Sequence, residues 1–492
     1  MIQRINKAVF GFQKPFSFSK SILTISAALS GVMSVTAVQA QKQQVVKPVN
    51  FVVILLDDMG FGDLTITGAS GYSTPNLDKM ASEGVYFSHY VSPQAVCSAS
   101  RAGLLTGCYP NRIGFNGALD HTSKTGISSE EETIAQLLKK KGYTTGAFGK
   151  WHVGSQTEFL PTHRGFDEFL GIPYSHDMSP NHPTSKNYYP SLPLIEGDKT
   201  IATNPDISQF TTQFTEKTVD FIKRNQKKPF FVYLAHPLPH VPLAVSDKFK
   251  GKSKQGMYGD VMMEIDWSVG QILKTLSQCG LDKNTLVIFT SDNGPWLNYG
   301  NHAGSAGGLR QGKGTSYEGG QRVPCFMRWK GVIEGGTVCN KLISGLDLLP
   351  TIAAIAKAPL PEKPIDGVSM LPILKGDKDA NPRSSFYYYY RKNSLEAVTD
   401  GSWKLVFKHP GRNYEGFAPG KDGVPGPVNE NFMFDGGLYD LRRDPGERYN
   451  VINENPAVVA KLEKMAQDAR EDLGDDITGD KGKNRREPGR SK

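Results

Sequence analysis

Cysteine is scarce in this chain, with five in 492 residues. None of Cys97, Cys108, Cys279, Cys325 and Cys339 shows the paired spacing of a zinc site. Their number is odd, so an exported protein would keep at least one unpaired or modified, and pairing among the others is not readable from spacing. No Asn-x-Ser/Thr acceptor with a permitted middle residue occurs, which leans away from a glycosylated animal secretory protein and towards a bacterial one. Internal repeats are absent. So is the G-x-x-x-x-G-K-S/T phosphate loop, because Gly312-Lys313 is followed by Gly314. The apolar stretch from Ile22 to Val38 is short and rich in small residues for a membrane span. It follows Arg4, Lys7, Lys14 and Lys20 and precedes Val38-Gln39-Ala40, the pattern of a cleavable signal over residues 1–40. No cysteine lies near that cleavage point, so neither a lipid nor a helix provides a stable membrane anchor. Export to a periplasm or to the medium is the expectation.

Cleavage after Ala40 would remove four positive charges and no acids, lowering the net charge from +8 to +4. Such a small excess suits an anionic small substrate and gives no reason to invoke nucleic acid. The basic segment Lys481 to Lys492 reads as a solvated tail. With 38% hydrophobic and 22% charged residues the chain is globular rather than disordered. Its length exceeds one ordinary core, so a large domain over 41–375 and a smaller one over 376–492 are expected.

Short apolar runs alternate with helical patterns, the signature of an α/β fold. Phe51 to Leu56 is nearly all apolar, as in a strand covered on both faces. Thr74-Pro75 opens a helix, and Ser129 with Glu132 has capping-box spacing before Ile134. Asp177 to Thr203 has few periodic signals and reads as a long surface loop. After residue 385, three short strands and a helix from Ala457 to Leu473 suggest a small antiparallel sheet with a helix.

The polar clusters follow strand ends, where open α/β sheets carry their sites. Asp57-Asp58 ends the first apolar run and Asp292-Asn293 ends Thr285 to Ser291. Four oxygen ligands suit calcium or magnesium and argue against zinc. Cys97 and Arg101 stand four apart on one face of a helix whose N-terminus favours an anion. In isolation such a cysteine is a buried thiol or a thiolate nucleophile; the second reading lacks a nearby His and conflicts with a hard-metal site. Lys150 and His152 follow another strand and can bind an anion and move a proton. His240 can protonate a leaving oxygen, and His236, nearer its strand, is a weaker candidate. Lys313 lies in a Gly-rich run that brings backbone close to a ligand.

These segments resemble the sulfatase family, of arylsulfatase A-like type within the alkaline phosphatase superfamily. The resemblance rests on Asp57 to Leu64, Thr74 to Asp78, Cys97-Ser98-Ala99-Ser100-Arg101, Gly149 to His152, Gly171 to Asp177, Ser291 to Pro295, Gly312 to Gly314 and Leu438 to Leu441. It implies a large mixed central sheet flanked by helices, with a smaller C-terminal antiparallel sheet and helix. It also implies hydrolysis of sulfate esters, on a sulfated small molecule or oligosaccharide. One calcium ion would be held by Asp57, Asp58, Asp292, Asn293 and residue 97. Cys97 would be converted to formylglycine (3-oxoalanine) by a formylglycine-generating maturation enzyme. Arg101 and Lys150 would orient its hydrate, His152 would act as base, and His240, Lys313 and Ser175 would bind the sulfate. Ala99 stands where the commoner family pattern has Pro, which leaves open which maturation enzyme acts. A phosphomonoester or phosphonate hydrolase of the same superfamily is the nearest competing activity.

Overall fold

Asn50–Leu56 is buried at every position, and its side chains divide between two cores. Phe51, Val53 and Leu55 enter one, while Val52, Ile54 and Leu56 enter the other. Full burial of each such side chain contributes about 1.5–3 kcal/mol, which fixes this strand at the centre of the molecule. The computed structural model describes residues 47–492, so the expected signal segment 1–40 lies outside the described residues.

Ten strands make the central sheet: Asn50–Leu56 (β1), Val85–Phe87 (β2), Thr144–Lys150 (β3), Glu168–Ile172 (β4), Pro193–Glu196 (β5), Lys199–Thr203 (β6), Phe230–Ala235 (β7), Thr285–Ser291 (β8), Cys325–Arg328 (β9) and Thr337–Cys339 (β10). Their order is β10-β2-β9-β8-β1-β7-β3-β4-β5-β6. The five central strands β8, β1, β7, β3 and β4 run parallel, while the β8–β9 and β4–β5 pairs are antiparallel. The sheet is therefore mixed, and its parallel middle presents five strand ends at one edge.

Helices cover both faces. Pro75–Ser82 (α1), Cys97–Thr106 (α2), Ile134–Lys139 (α3), Phe210–Asn225 (α4), Met257–Gln278 (α5) and Leu348–Ala356 (α6) belong to this layer arrangement. Leu77 of α1, Phe214 of α4 and Ile265 of α5 join one core. Leu104 of α2, Leu137 of α3 and Ile352 of α6 join the other. A third core lies beneath Phe386–Tyr390 (β11), Ser394–Thr399 (β12), Trp403–Val406 (β13) and Gly437–Asp440, a four-stranded antiparallel sheet backed by Pro456–Leu473 (α7). A separate hairpin pairs His409–Asn413 with Asn429–Phe434. Among the described residues no helix is long and apolar enough to cross a membrane.

Three expectations need correction. The capping box of α3 is Thr133 with Gln136, not Ser129 with Glu132: the Gln136 amide donates to the Thr133 hydroxyl at 3.2 Å, and Gln136 Oε1 accepts from the Thr133 amide at 3.0 Å. Thr133 directly precedes the apolar run, while Glu132 pairs with Lys140 instead. The segment expected as one long loop contains the β5–β6 hairpin, whose β6 strand is mostly exposed and so lacks an apolar period. The basic tail is docked rather than solvated. Arg486 pairs with Glu131 at 2.7 Å, and Gly489–Arg490 adds a short strand against Thr125–Gly126. None of the five cysteines is paired in a disulfide.

Candidate active site

Each central strand delivers polar residues to the same sheet edge. β1 ends at Asp57 and Asp58, and β8 at Asp292 and Asn293. β3 ends at Lys150 and leads to His152; β4 leads to Ser175; β7 leads through His236 to His240. Gly149 is obligatory in this packing, because its φ is +110° and a Cβ would stand 2.0 Å from the Ala235 carbonyl oxygen. Asp58, His152 and Gln311 adopt positive φ without being glycine. Such backbone costs about 1–3 kcal/mol per residue and persists where surrounding structure enforces it, typically at functional sites.

Cys97 is the first residue of α2, and its preceding residue Val96 offers no side-chain cap. The free amides and the dipole of that helix end therefore favour an anion beside residue 97. One turn on, the fully buried Arg101 donates through Nε to Asp292 Oδ2 at 2.8 Å and through Nη1 to the Lys150 carbonyl at 2.7 Å. Its Nη2 lies 3.6 Å from Asp57. Lys150 donates to Asp57 and, at 3.0 Å, to the Ser175 hydroxyl. Lys313 donates to Asp58 at 2.8 Å and lies 4.4 Å from the centre of the Trp296 ring. His240 Nε2 is 3.6 Å from Asp58, and its ring stands 5.4 Å from Trp296.

Asp57, Asp58 and Asp292 thus face Arg101, Lys150 and Lys313, a neutral balance before any metal is added. Two buried acceptors, Asp57 Oδ1 and Asn293 Oδ1, have no protein partner. Carboxylate oxygens of Asp57 and Asp58 and a ring nitrogen of His240 lie within 4.8 Å of one another. Asp292 Oδ1 accepts from the Asp58 amide at 3.3 Å, and Asn293 donates to Asp58 at 2.7 Å. Orphaned, oxygen-rich acceptors of this kind fit a hard divalent cation. Such a cation would give the site a positive balance suited to an anionic ester.

Burial dominates the titration of these groups. It pushes Asp292 up to about 7, and neighbouring Asp57 adds to the rise against Arg101 and Lys150. Burial opposes ionisation of Asp57 too, but Lys150, His240 and Arg101 outweigh it and hold that carboxyl well below its ordinary value. Burial pushes the Cys97 thiol up to about 11, against the pull of Lys150 and Lys313. His152 is driven well below its ordinary value by burial and then by Lys150, so its imidazole is neutral. Its Nε2 is 2.8 Å from the Leu119 carbonyl, which can only accept; Nε2 therefore carries the proton. The free lone pair sits on Nδ1, which is buried without a protein partner.

The structure brings Asp57, Asp58, Cys97, Arg101, Lys150, His152, Ser175, His240, Asp292, Asn293 and Lys313 to one sheet edge. His236 stands apart, because its Nε2 is tied to Ser268 of α5 at 3.0 Å. Sequence reasoning overlooked Trp296, the aromatic wall beside Lys313 and His240; its position four residues after Asp292 was the available signal. It also overlooked the Leu119 backbone. Its amide donates to Ser98 of α2 at 2.9 Å while its carbonyl orients His152. No side-chain pattern announces a backbone contact of that kind.

A family model described as Sulfatase matches residues 49–358. Models for the C-terminal part of N-sulphoglucosamine sulphohydrolase and the C-terminal region of aryl-sulfatase match 311–406 and 381–486. The chain belongs to the sulfatase family and is an enzyme that hydrolyses sulfate esters. Human arylsulfatase A is 37% identical over 456 residues, covering 86% of this chain and 87% of its own. Mouse N-acetylgalactosamine-6-sulfatase is 37% identical over 458 residues, with 86% of each chain covered. Among solved structures, a sulfatase from a Pseudoalteromonas species superposes with a TM-score of 0.75 at 28% identity, over 86% of this chain and 90% of that one. A protein described under the metabolism of multiple glycosaminoglycans by Bacteroides thetaiotaomicron gives 0.74 at 27% identity, over 86% and 100%. The central sheet is accordingly of the alkaline phosphatase-like type.

Proposed function

We propose that this enzyme removes sulfate from sulfated carbohydrates, using a hydrated formylglycine made from Cys97 and one calcium ion. The observation that carries the reading is the placement of residue 97. It opens an uncapped helix whose Arg101, one turn on, is bonded to Asp292. The carbohydrate substrate is supported by relatives named for N-acetylgalactosamine 6-sulfate and by neighbours described with glycosaminoglycans.

A formylglycine-generating enzyme, consuming an external two-electron oxidant, would convert the Cys97 side chain to an aldehyde with its sulfur released as sulfide, and water would add to give two hydroxyls. One hydroxyl gives its proton to the Asp292 carboxylate and attacks the ester sulfur, and the sulfur–oxygen bond to the sugar breaks. His240 donates a proton to the departing oxygen, while Lys313 and Ser175 hold the sulfate. The second hydroxyl of the sulfated hemiacetal then gives its proton to Nδ1 of His152. The aldehyde re-forms and sulfate leaves. Arg101 and Lys150 orient the hydrate. Asp57, Asp58, Asp292 and Asn293, with residue 97, would hold calcium, which supplies stabilisation of negative charge as it develops on the ester.

Export through cleavage of residues 1–40, and a division into 41–375 and 376–492, complete the proposal. The test is sulfate release from a panel of sulfated mono- and oligosaccharides, with an aryl sulfate and an aryl phosphate alongside. Turnover of at least one sulfated sugar, with the aryl sulfate far above the phosphate, is expected. A preference for the phosphate by orders of magnitude would reject the reading.

A further inference from the structure

Asp177 is nine-tenths buried, yet its Oδ1 has no hydrogen-bond partner in the protein. It follows Ser175 by two residues, and no step described above uses it. The ring of its neighbour His176 stands 5.6 Å from that of His240, which places the segment beside the sulfate-binding centre. The ring of Tyr174, three residues before Asp177, lies 6.3 Å from that of His121, so the segment that carries Ser175 and Asp177 borders a group of rings outside the sulfate-binding centre. Tyr188 and Tyr189 meet edge to face at 4.9 Å. His121 stands 6.1 Å from Tyr188 and 5.4 Å from Tyr189. Tyr188 is 72% exposed, and His121 keeps a buried Nδ1 without a partner. The His121 ring is anchored close to the site. Residue 119, two positions before His121, is held by both Ser98 and His152.

We propose that Asp177 and the rings of His121, Tyr188 and Tyr189 form a sugar subsite. Asp177 accepts a hydrogen bond from a hydroxyl beside the sulfate ester, and the C–H face of the sugar packs on the rings. This rests on the carbohydrate reading above. An unpaired buried acceptor is costly, and a ligand hydroxyl removes that cost. A carboxylate at this point also repels a second anion, so the subsite selects a neutral, hydroxylated neighbour. Aromatic rings give a sugar a large apolar surface at little cost in side-chain ordering.

The test compares the wild type with Asp177→Asn and Tyr188→Ala on three substrates. These are the monosulfated hexose or N-acetylhexosamine that the wild type turns over best, its deoxy analogue lacking the hydroxyl next to the sulfate, and 4-nitrophenyl sulfate. Melting curves establish that both variants are folded. Asp177→Asn is expected to lower kcat/KM on the parent sugar by roughly 10- to 100-fold. Its loss on the other two substrates should be smaller by about tenfold or more, since neither offers the hydroxyl. Tyr188→Ala should raise KM for the sugar more than for the aryl sulfate. Equal losses on all three substrates would mean that Asp177 acts only through His240, and would overturn the proposal. A wild type that cleaves 4-nitrophenyl sulfate but no sulfated sugar would overturn the carbohydrate reading, and the subsite with it.

Discussion

Replacing Arg101 by Met is the perturbation whose cost follows most directly from the geometry. The guanidinium is wholly buried, and its charge is matched by Asp292 at 2.8 Å and Asp57 at 3.6 Å. Met retains the apolar stem and roughly the volume, so packing loss is small. What is lost is the cation between two buried carboxylates, together with the donor to the Lys150 carbonyl. Removing one partner of a buried pair costs about 3–5 kcal/mol, because the remaining charge is left uncompensated. That is a large part of a typical stability of about 5–15 kcal/mol. Calorimetry in chelator should therefore show a folded variant with a markedly lower melting temperature. Excess calcium should restore more than half of the deficit, because a cation held by Asp57 and Asp292 takes over the missing charge. A variant within about 1 kcal/mol of the wild type in chelator would refute the reasoning, since that is what an exposed ion pair is worth.

Asn293→Ala and Asp292→Asn should abolish measurable calcium binding by calorimetry and lower turnover by about 100-fold or more while circular dichroism stays native. His152→Ala should release about one equivalent of alcohol in a burst and then stall with sulfate still bound, because the second step lacks its base. The stability that calcium adds should grow as pH rises from about 4 to about 7 and level off above, since without the ion folded Asp292 keeps a proton that the ion displaces. Asp63 and Glu447, also raised to about 7, and the buried His89, His152, His176 and His236, all lowered, act with opposite signs on the overall pH dependence, so the calcium-dependent difference is the part that reports Asp292. Arg486→Ala should cost about 1–3 kcal/mol in thermal unfolding with little effect on turnover, because it leaves the buried Glu131 unpaired.

Much of this architecture could be read from the chain because its central strands are buried on both faces. Phe51 to Leu56 and Thr285 to Ser291 announce themselves as continuous apolar runs, and each is followed by its ligating pair. Strand ends of that kind place polar residues with no need to know a long-range contact. The less legible parts are those where long-range pairing replaces a local pattern. β6 of the β5–β6 hairpin is mostly exposed at the sheet edge and β5 is only four residues long, so no period distinguishes the hairpin from a loop. The tail is docked by long-range contacts, among them Arg486 with Glu131, 355 residues earlier, and the short strand against Thr125–Gly126. His236 looked like a neighbour of His240, yet the strand end turns its ring to Ser268. Asp177 was visible within the segment from Gly171, but its unpaired oxygen is a property of three-dimensional surroundings alone.

Mass spectrometry of the peptide containing residue 97, taken from enzyme of known specific activity, tests the central claim most directly. The account predicts that the thiol is gone and that an aldehyde, trapped by a hydrazine, is present in proportion to activity. An intact, alkylatable thiol in fully active enzyme would contradict it.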